Sequence, residues 1–151
     1  MSESQEGIKL DEKQLRQIDL WDENYNERIA QTGERIGAPQ NFIDYYRKPE
    51  PPTVEIVAKF LSFIEYLDWN ELEEEFKKRV RSAPRGLIKD LKALEQIIST
   101  PQEKDVLAYL VAVDANRNIP DPSDDGAREW IREIAEMVRK ALGDLAPPKA
   151  E

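Results

Sequence analysis

Apolar residues recur along most of the chain at the three- and four-residue spacing of amphipathic helices. In the first third of the chain, the recurring positions are Leu10, Leu15, Ile18, Trp21, Tyr25 and Ile29. This spacing predicts a first helix that ends near Gly33 or Gly37. Pro39 then opens a short second helix. Residues 49–52, Pro-Glu-Pro-Pro, cannot continue a helix, so they predict an extended connector.

Five further helices are predicted after the connector. Thr53 is placed as the N-cap of the first of them. A second apolar face on that helix, made of Ile56, Phe63 and Tyr66, predicts a central position in a bundle. Asn70 and Glu73 are spaced as a capping box for the next helix, which would run from Glu71 to about Ser82.

Local signals also predict the starts of the last three helices. Pro84 suits the first turn of a helix, where its missing N–H costs nothing. Thr100–Glu103 offers a Thr cap, Pro at the first helical position and Glu at the third, which predicts a helix start there. The final helix follows the loop 118–125, with Ser123 or Asp121 as its cap.

The sequence predicts an all-α fold, a single compact bundle of six to seven helices without a sheet. No segment shows the period-two alternation of a strand, and a chain of 151 residues usually forms one domain. The predicted organisation is a disordered lead (1–9), an N-terminal helical arm (10–48), a Pro-rich connector (49–52), a helical bundle (53–145) and a disordered tail (146–151).

Composition excludes several chemistries. The chain has no His and no Cys, so it has no imidazole base, no thiolate nucleophile and no Cys or His metal ligand. Its formal net charge of −9 opposes general nucleic-acid binding, because phosphate is repelled by a negative surface. No apolar tract has the length of a membrane span, and the first residues carry no basic, apolar leader, which favours a cytoplasmic location.

One loop has the oxygen side chains of a calcium site. Asp114, Asn116, Asn118 and Asp125 match positions 1, 3, 5 and 12 of the EF-hand pattern. Ile119 stands where that pattern needs Gly for a sharp turn. The alternatives are therefore a Ca²⁺-stabilised module or a solvated turn that caps the last helix.

A second candidate is a set of carboxylates. Glu71 and Glu74 share one helix face, and the segment Asp105–Asn116 resembles the second metal-binding helix of the all-α nucleoside triphosphate pyrophosphatases. The resemblance implies Mg²⁺-dependent hydrolysis of nucleotides on acidic pairs from facing helices. The family pattern is E-x-x-D, and this chain has Gln102 in place of the first carboxylate.

Positive charge is concentrated in one stretch of this acidic chain. The cations between residues 77 and 92 are Lys77, Lys78, Arg79, Arg81, Arg85, Lys89 and Lys92, and Asp90 is the one acidic residue among them. Cations suit a helix C-terminus, which accounts for the first four better than for the others. The stretch is also a candidate site for phosphate, RNA or an acidic partner.

The aromatic residues Phe42, Tyr45 and Tyr46 lie beside Arg47 and the connector, and they suit either a core or a protein interface. We predict a non-catalytic helical protein that binds another protein, as an inhibitor, adaptor or assembly factor, with the Mg²⁺-dependent hydrolase as the alternative. The acidic surface favours a basic partner. Two central helices with more than one apolar face also allow homo-oligomerisation. No catalytic residue, metal ligand or cofactor is assigned. The predicted partner-binding residues are Lys77, Lys78, Arg79, Arg81, Arg85, Phe42, Tyr45 and Tyr46.

Overall fold

The computed structural model of this protein describes residues 21, 24–49 and 51–149. These residues form seven α-helices and no strand, which confirms the predicted all-α class and helix number. The chain forms two units, Met1–Glu50 and Pro51–Glu151. The predicted lead, most of the first half of the predicted first helix and the last two residues lie outside the described part.

The first unit contains a pair of helices, α1 (Tyr25–Ile36) and α2 (Gln40–Arg47), which contact each other. Gly37 ends α1 in the left-handed conformation, with φ 76°, and its N–H donates to the Glu34 carbonyl. Pro39 immediately precedes α2. Both helix boundaries therefore lie where Gly and Pro predict them.

The second unit is a helical bundle. Its helices are α3 (Thr53–Phe63), α4 (Trp69–Ser82), α5 (Pro84–Ser99), α6 (Val106–Tyr109) and α7 (Asp124–Leu142). A π-helical turn, Leu110–Asp114, continues α6, and a 3₁₀ turn, Gly143–Leu145, continues α7. Helix α5 contacts α3, α4 and α7, while α7 also contacts α4 and α6, so α5 and α7 form the centre of the bundle. No helix in the described ranges is both long and apolar enough to cross a lipid bilayer.

The core of this bundle is apolar and fully buried. The rings of Phe60 on α3 and Phe76 on α4 stack with centroids 5.8 Å apart, and both side chains are buried. Aliphatic residues from the central helices complete the core: Leu87, Leu91, Leu94, Ile97, Ile131, Ile134 and Val138. Burying one such side chain stabilises the fold by about 1.5–3 kcal/mol.

The capping box of α4 lies two residues before its predicted place. The Asp68 carboxylate accepts a hydrogen bond from the Glu71 N–H at 2.8 Å, and the Glu71 carboxylate accepts one from the Asp68 N–H at 2.9 Å. Asp68 has the extended backbone of an N-cap, with ψ 178°, so Trp69 is already helical. The prediction of a box from Asn70 to Glu73 is wrong, because Asp68 offers the same chemistry one half-turn earlier.

Two other predicted caps are also wrong. Thr53 is the first residue of α3, and its hydroxyl donates to the Gln96 side chain in place of capping a backbone N–H of its own helix. The helix predicted at Thr100–Glu103 begins only at Val106. The Asp124 carboxylate, from α7, accepts hydrogen bonds from the backbone N–H groups of Asp105 (2.8 Å) and Ala108 (3.0 Å). A carboxylate distant in sequence thus satisfies the start of α6.

The second apolar face predicted for α3 is not buried as a whole. Ile56 is half-buried, but Phe63 is 62% exposed and Tyr66 is 83% exposed. The neighbours of α3, which are α5 and the π-helical turn, cover its other face. The prediction that α3 is central on both faces is therefore wrong at Phe63 and Tyr66.

The start of α7 gives a stability test. Ser123 caps this helix as predicted, since its hydroxyl accepts from the Gly126 N–H. A Cβ on Gly126 would lie 1.9 Å from the Asp121 carbonyl oxygen. We expect Gly126→Ala to destabilise the protein by about 1–3 kcal/mol through this clash, measured by urea unfolding.

Gly86 provides the matched control, because it lies in α5 at a position where an added methyl group would meet no other part of the fold within 4 Å. We expect Gly86→Ala to stabilise the protein by about 0.5–1 kcal/mol. Equal stability of the two variants would contradict the close approach of Asp121 to Gly126.

Candidate functional site

Three exposed aromatic residues lie within seven consecutive positions where α3 passes into α4. Phe63, Tyr66 and Trp69, which we call the aromatic junction, are 62%, 83% and 43% exposed. Ile64, between them, is fully buried and attaches the junction to the core. Single exposed apolar side chains are ordinary, but several large ones grouped on one short stretch of chain are a candidate interaction surface.

Arg117 holds the backbone of the aromatic junction in place. Its Nη2 donates hydrogen bonds to the carbonyl oxygens of Ile64, at 2.9 Å, and Leu67. The guanidinium also lies over the Trp130 ring, 5.7 Å from its centroid. A cation is favourable at the Ile64 carbonyl because Ile64 is the C-cap of α3, while the Leu67 carbonyl lies between α3 and α4.

Trp130 links the junction to α7. Its ring centroid lies 6.4 Å from that of Trp69 at a tilt of 60°, a favourable aromatic geometry. Trp130 is half-buried, whereas Trp69 is more exposed. The Arg117 Nε is buried without a hydrogen-bond partner among the described residues, so this side chain is committed to the fold at some cost.

Arg79, one of the predicted partner-binding residues, lies between the core and the surface. Its Nε donates to the Glu75 carboxylate at 3.0 Å. Its guanidinium lies over two rings of α3, 5.9 Å from the centroid of Phe60 and 5.7 Å from that of Phe63. Only 22% of the Arg79 side chain is exposed. Arg79 therefore lies mostly beneath the surface, where its guanidinium supports the Phe63 ring.

The remaining predicted cations differ in their exposure. Lys77 is exposed and forms an ion pair with Glu74 at 3.4 Å. Lys78 and Arg81 are exposed near the end of α4, and Arg85 is half-buried in the first turn of α5. The two helices meet at Ala83, so the structure places this group of cations around one corner of the bundle.

Asp90 is the acidic residue within this positive stretch. Burial raises its pKa to about 6, although Arg79, Lys89 and Lys59 lower it. The cations that act on this carboxyl come from α4, α5 and α3 respectively, so three helices bring positive charge to one place. Because burial outweighs them, ionised Asp90 is less stable in the folded protein than in water.

The other predicted site, in the first unit, is an aromatic cluster on α2. The Tyr46 ring lies 5.0 Å from Phe42 and 5.1 Å from Tyr45 between centroids. Tyr46 is half-buried, while Phe42 is 40% exposed and Tyr45 is 68% exposed. The cluster therefore presents two of its three rings at the surface.

Arg47 ties α2 to α1 beside this cluster. Its guanidinium pairs with Glu34 at 2.7 Å and with Glu27 at 2.9 Å. Hydrogen bonds from Arg47 lower the pKa of both carboxyls. Arg47, which the sequence places next to the aromatic residues, is thus already engaged within its own helix pair.

The residues of the two metal hypotheses make other contacts. Glu71 belongs to the capping box, Glu74 pairs with Lys77, and the Asp105 backbone is bound by Asp124. Of the predicted calcium ligands in the loop, Asp125 pairs with Arg128 at 3.6 Å. Within the described ranges, no three acidic side chains are grouped so that they could hold a metal ion.

The candidate site contains four residues that the sequence did not indicate: Phe63, Tyr66, Trp69 and Arg117. Helical spacing assigned Phe63 and Tyr66 to a buried face. Both residues lie beside the main apolar stripe, near the end of the helix, and each directly follows a polar residue, Ser62 or Glu65. This position is the sequence signal that could have indicated their exposure. Arg117 gave no signal, because its carbonyl partners are about fifty residues away along the chain.

Comparison with known proteins gives no further guide, since no protein-family model, curated protein or solved structure matches this chain.

The structural role of Arg117 predicts a large effect of its removal. We expect Arg117→Met to destabilise the protein by about 2–3 kcal/mol, because two carbonyl groups lose a charged donor. The measurement is urea unfolding. The control is Arg132→Met, which removes an exposed pair with Glu129 and is expected to cost about 0.5 kcal/mol or less. A loss no larger than that of the control would show that Arg117 does not hold the junction.

The raised pKa of Asp90 predicts a pH dependence of stability. Between its ordinary pKa of 3.8 and about 6, the folded protein keeps a proton that the unfolded chain has released. The contribution of Asp90 to stability therefore falls as pH rises through this window and is lowest above it. Asp90→Asn cannot ionise, so we expect its stability relative to the unsubstituted protein to increase by about 1–3 kcal/mol between pH 4 and pH 7.

The measurement is urea unfolding of both proteins at half-unit pH steps. Glu136→Gln, at an exposed position of α7, serves as the control for removal of a carboxylate. A difference between Asp90→Asn and the unsubstituted protein that is constant with pH would contradict the assignment.

Proposed function

We propose that this chain is a non-catalytic, cytoplasmic protein-binding module that acts as an inhibitor, adaptor or assembly factor. The observation that carries the proposal is the exposure of Phe63, Tyr66 and Trp69 on a backbone fixed by Arg117. Large aromatic side chains are the residues that most often dominate binding energy in protein interfaces.

The fixed backbone strengthens this argument. Binding costs free energy whenever a loop or side chain must be ordered in the complex. At the junction, the two Arg117 hydrogen bonds order the backbone, Arg79 supports Phe63, and Trp130 supports Trp69. Much of this ordering is therefore complete before a partner arrives.

The exposed rings of α2 form a second candidate contact surface, on the other unit. Phe42 and Tyr45 expose 40% and 68% of their area on a helix that Arg47 ties to α1. We propose the aromatic junction as the primary surface because it combines three exposed aromatic residues with tertiary support from α4 and α7. A basic partner or a second copy of the chain remains the expectation for the acidic surface outside it.

Site-specific photo-crosslinking tests this proposal. Tyr66, the most exposed residue of the junction, is replaced by the photoreactive amino acid p-benzoylphenylalanine in the full chain, which is irradiated in extract of the source cells. The adduct is identified by mass spectrometry and the complex is rebuilt from purified proteins. The same replacement at Tyr109, which is 60% exposed on α6, is the control.

We expect a discrete adduct at position 66 that is absent at position 109. In the rebuilt complex, Phe63→Ala and Tyr66→Ala are each expected to weaken binding about tenfold or more, and Tyr109→Ala to leave it unchanged. Absence of a discrete adduct, or a partner insensitive to both junction substitutions, would overturn the proposal.

A further inference from the structure

Phe63 differs from the rest of the aromatic junction in its electrostatic surroundings. One turn before it on α3, Lys59 is exposed, and the Arg79 guanidinium of α4 lies over its ring. Lys78, the neighbour of Arg79, is also exposed. An exposed apolar ring is thus bordered by positive charge from two helices.

The acidic residues nearby do not cancel this charge. Glu75 is the ion-pair partner of Arg79, and its carboxylate is occupied at 3.0 Å. Asp90 is half-buried, and Arg79, Lys89 and Lys59 each lower its pKa. Cations from three helices therefore lie close to this carboxyl group. Lys59, one turn before Phe63 on the same face of α3, therefore provides an exposed positive charge beside that ring.

We propose that the surface around Phe63 binds an acidic segment of a partner protein, one that places a large apolar side chain on the Phe63 ring and carboxylates near Lys59 and Arg79. This inference rests on the proposed function and names the chemistry of the partner at that surface. Complementary charge at the rim of an apolar contact increases the association rate and excludes partners of the wrong sign.

A single-stranded nucleic acid is the other ligand that would suit an aromatic ring beside lysines. The observations favour a protein segment. The chain as a whole carries a charge of −9, which repels a continuous phosphate backbone more than a short carboxylate-bearing segment. The cations also border one ring, Phe63, and do not follow a row of stacked aromatic residues.

A display selection tests the inference. The immobilised full chain is used to select from a library of random peptides, and selected peptides are measured by fluorescence anisotropy in low and high salt. The variants are Phe63→Ala and Lys59→Glu. Lys140→Glu, an exposed position of α7, is the matched control for charge reversal. A fluorescent oligouridine is measured in parallel, and circular dichroism establishes that each variant is folded.

We expect selected peptides to carry several Asp or Glu residues together with an aromatic or large aliphatic one. Phe63→Ala should weaken their binding about tenfold, Lys59→Glu several-fold in a manner suppressed by salt, and Lys140→Glu not at all. Weakening by Lys59→Glu alone would support the inference even if Phe63→Ala did not fold.

Three results would overturn the inference. Selected peptides that are neutral or basic, yet sensitive to Phe63→Ala, would leave the proposed function in place and remove the acidic partner. If the selected peptides are acidic but insensitive to both substitutions, or if no peptides are selected, the surface around Phe63 is not the binding site. The proposed function is tested separately, by the crosslink at position 66. Oligouridine binding that Lys59→Glu abolishes, without peptide binding, would assign the surface to nucleic acid.

Discussion

Side chains distant in sequence satisfy three of the helix ends of this bundle. The end of a helix leaves backbone N–H or C=O groups without partners, and leaving them buried and unpaired is costly. Here Arg117 binds a carbonyl at the end of α3, Asp124 binds N–H groups at the start of α6, and Arg128 binds the Ile98 carbonyl near the end of α5. These three residues lie close together in the chain, before and inside the first turns of α7. When α7 packs onto the bundle, hydrogen-bond partners are therefore supplied to the ends of three other helices.

The same dependence links the fold to the candidate site. The aromatic junction lies on the backbone that Arg117 binds, and Trp69 of the junction contacts Trp130 of α7. At the far end of α7, Arg139 pairs with Glu95 of α5 through two contacts, 2.7 and 2.9 Å, which fixes α7 against the other central helix. Contacts with the bundle therefore hold the backbone of the aromatic junction and support two of its three rings, Phe63 and Trp69.

The sequence could predict the interactions that act within a few residues along the chain, and it could not predict those between distant residues. Helical periodicity predicted the all-α class, and Gly37, Pro39, Pro84 and Ser123 marked helix ends, because each acts on the backbone within a few residues. The start of α6 was missed because Asp124 overrides the local signal at Thr100–Glu103. Phe63 and Tyr66 were misplaced because periodicity identifies an apolar face, while the neighbouring helices decide whether that face is covered. A site that depends on how the helices pack against one another cannot be predicted from helical periodicity alone.

The whole chain is negatively charged, whereas the cations around Phe63 make that surface positive. These two facts are compatible because the interaction between charges weakens with distance. At physiological ionic strength, the interaction of exposed charges is largely screened beyond about 8 Å. Under the proposal above, a segment docked on Phe63 senses Lys59 and Arg79, while most of the acidic residues that give the net charge of −9 belong to other elements of the chain. The two proposed interactions, long-range attraction of a basic protein and short-range contact with an acidic segment, therefore concern different surfaces and do not conflict. Net charge motivates the first proposal, and the contact of Arg79 on α4 with Phe63 on α3 motivates the second.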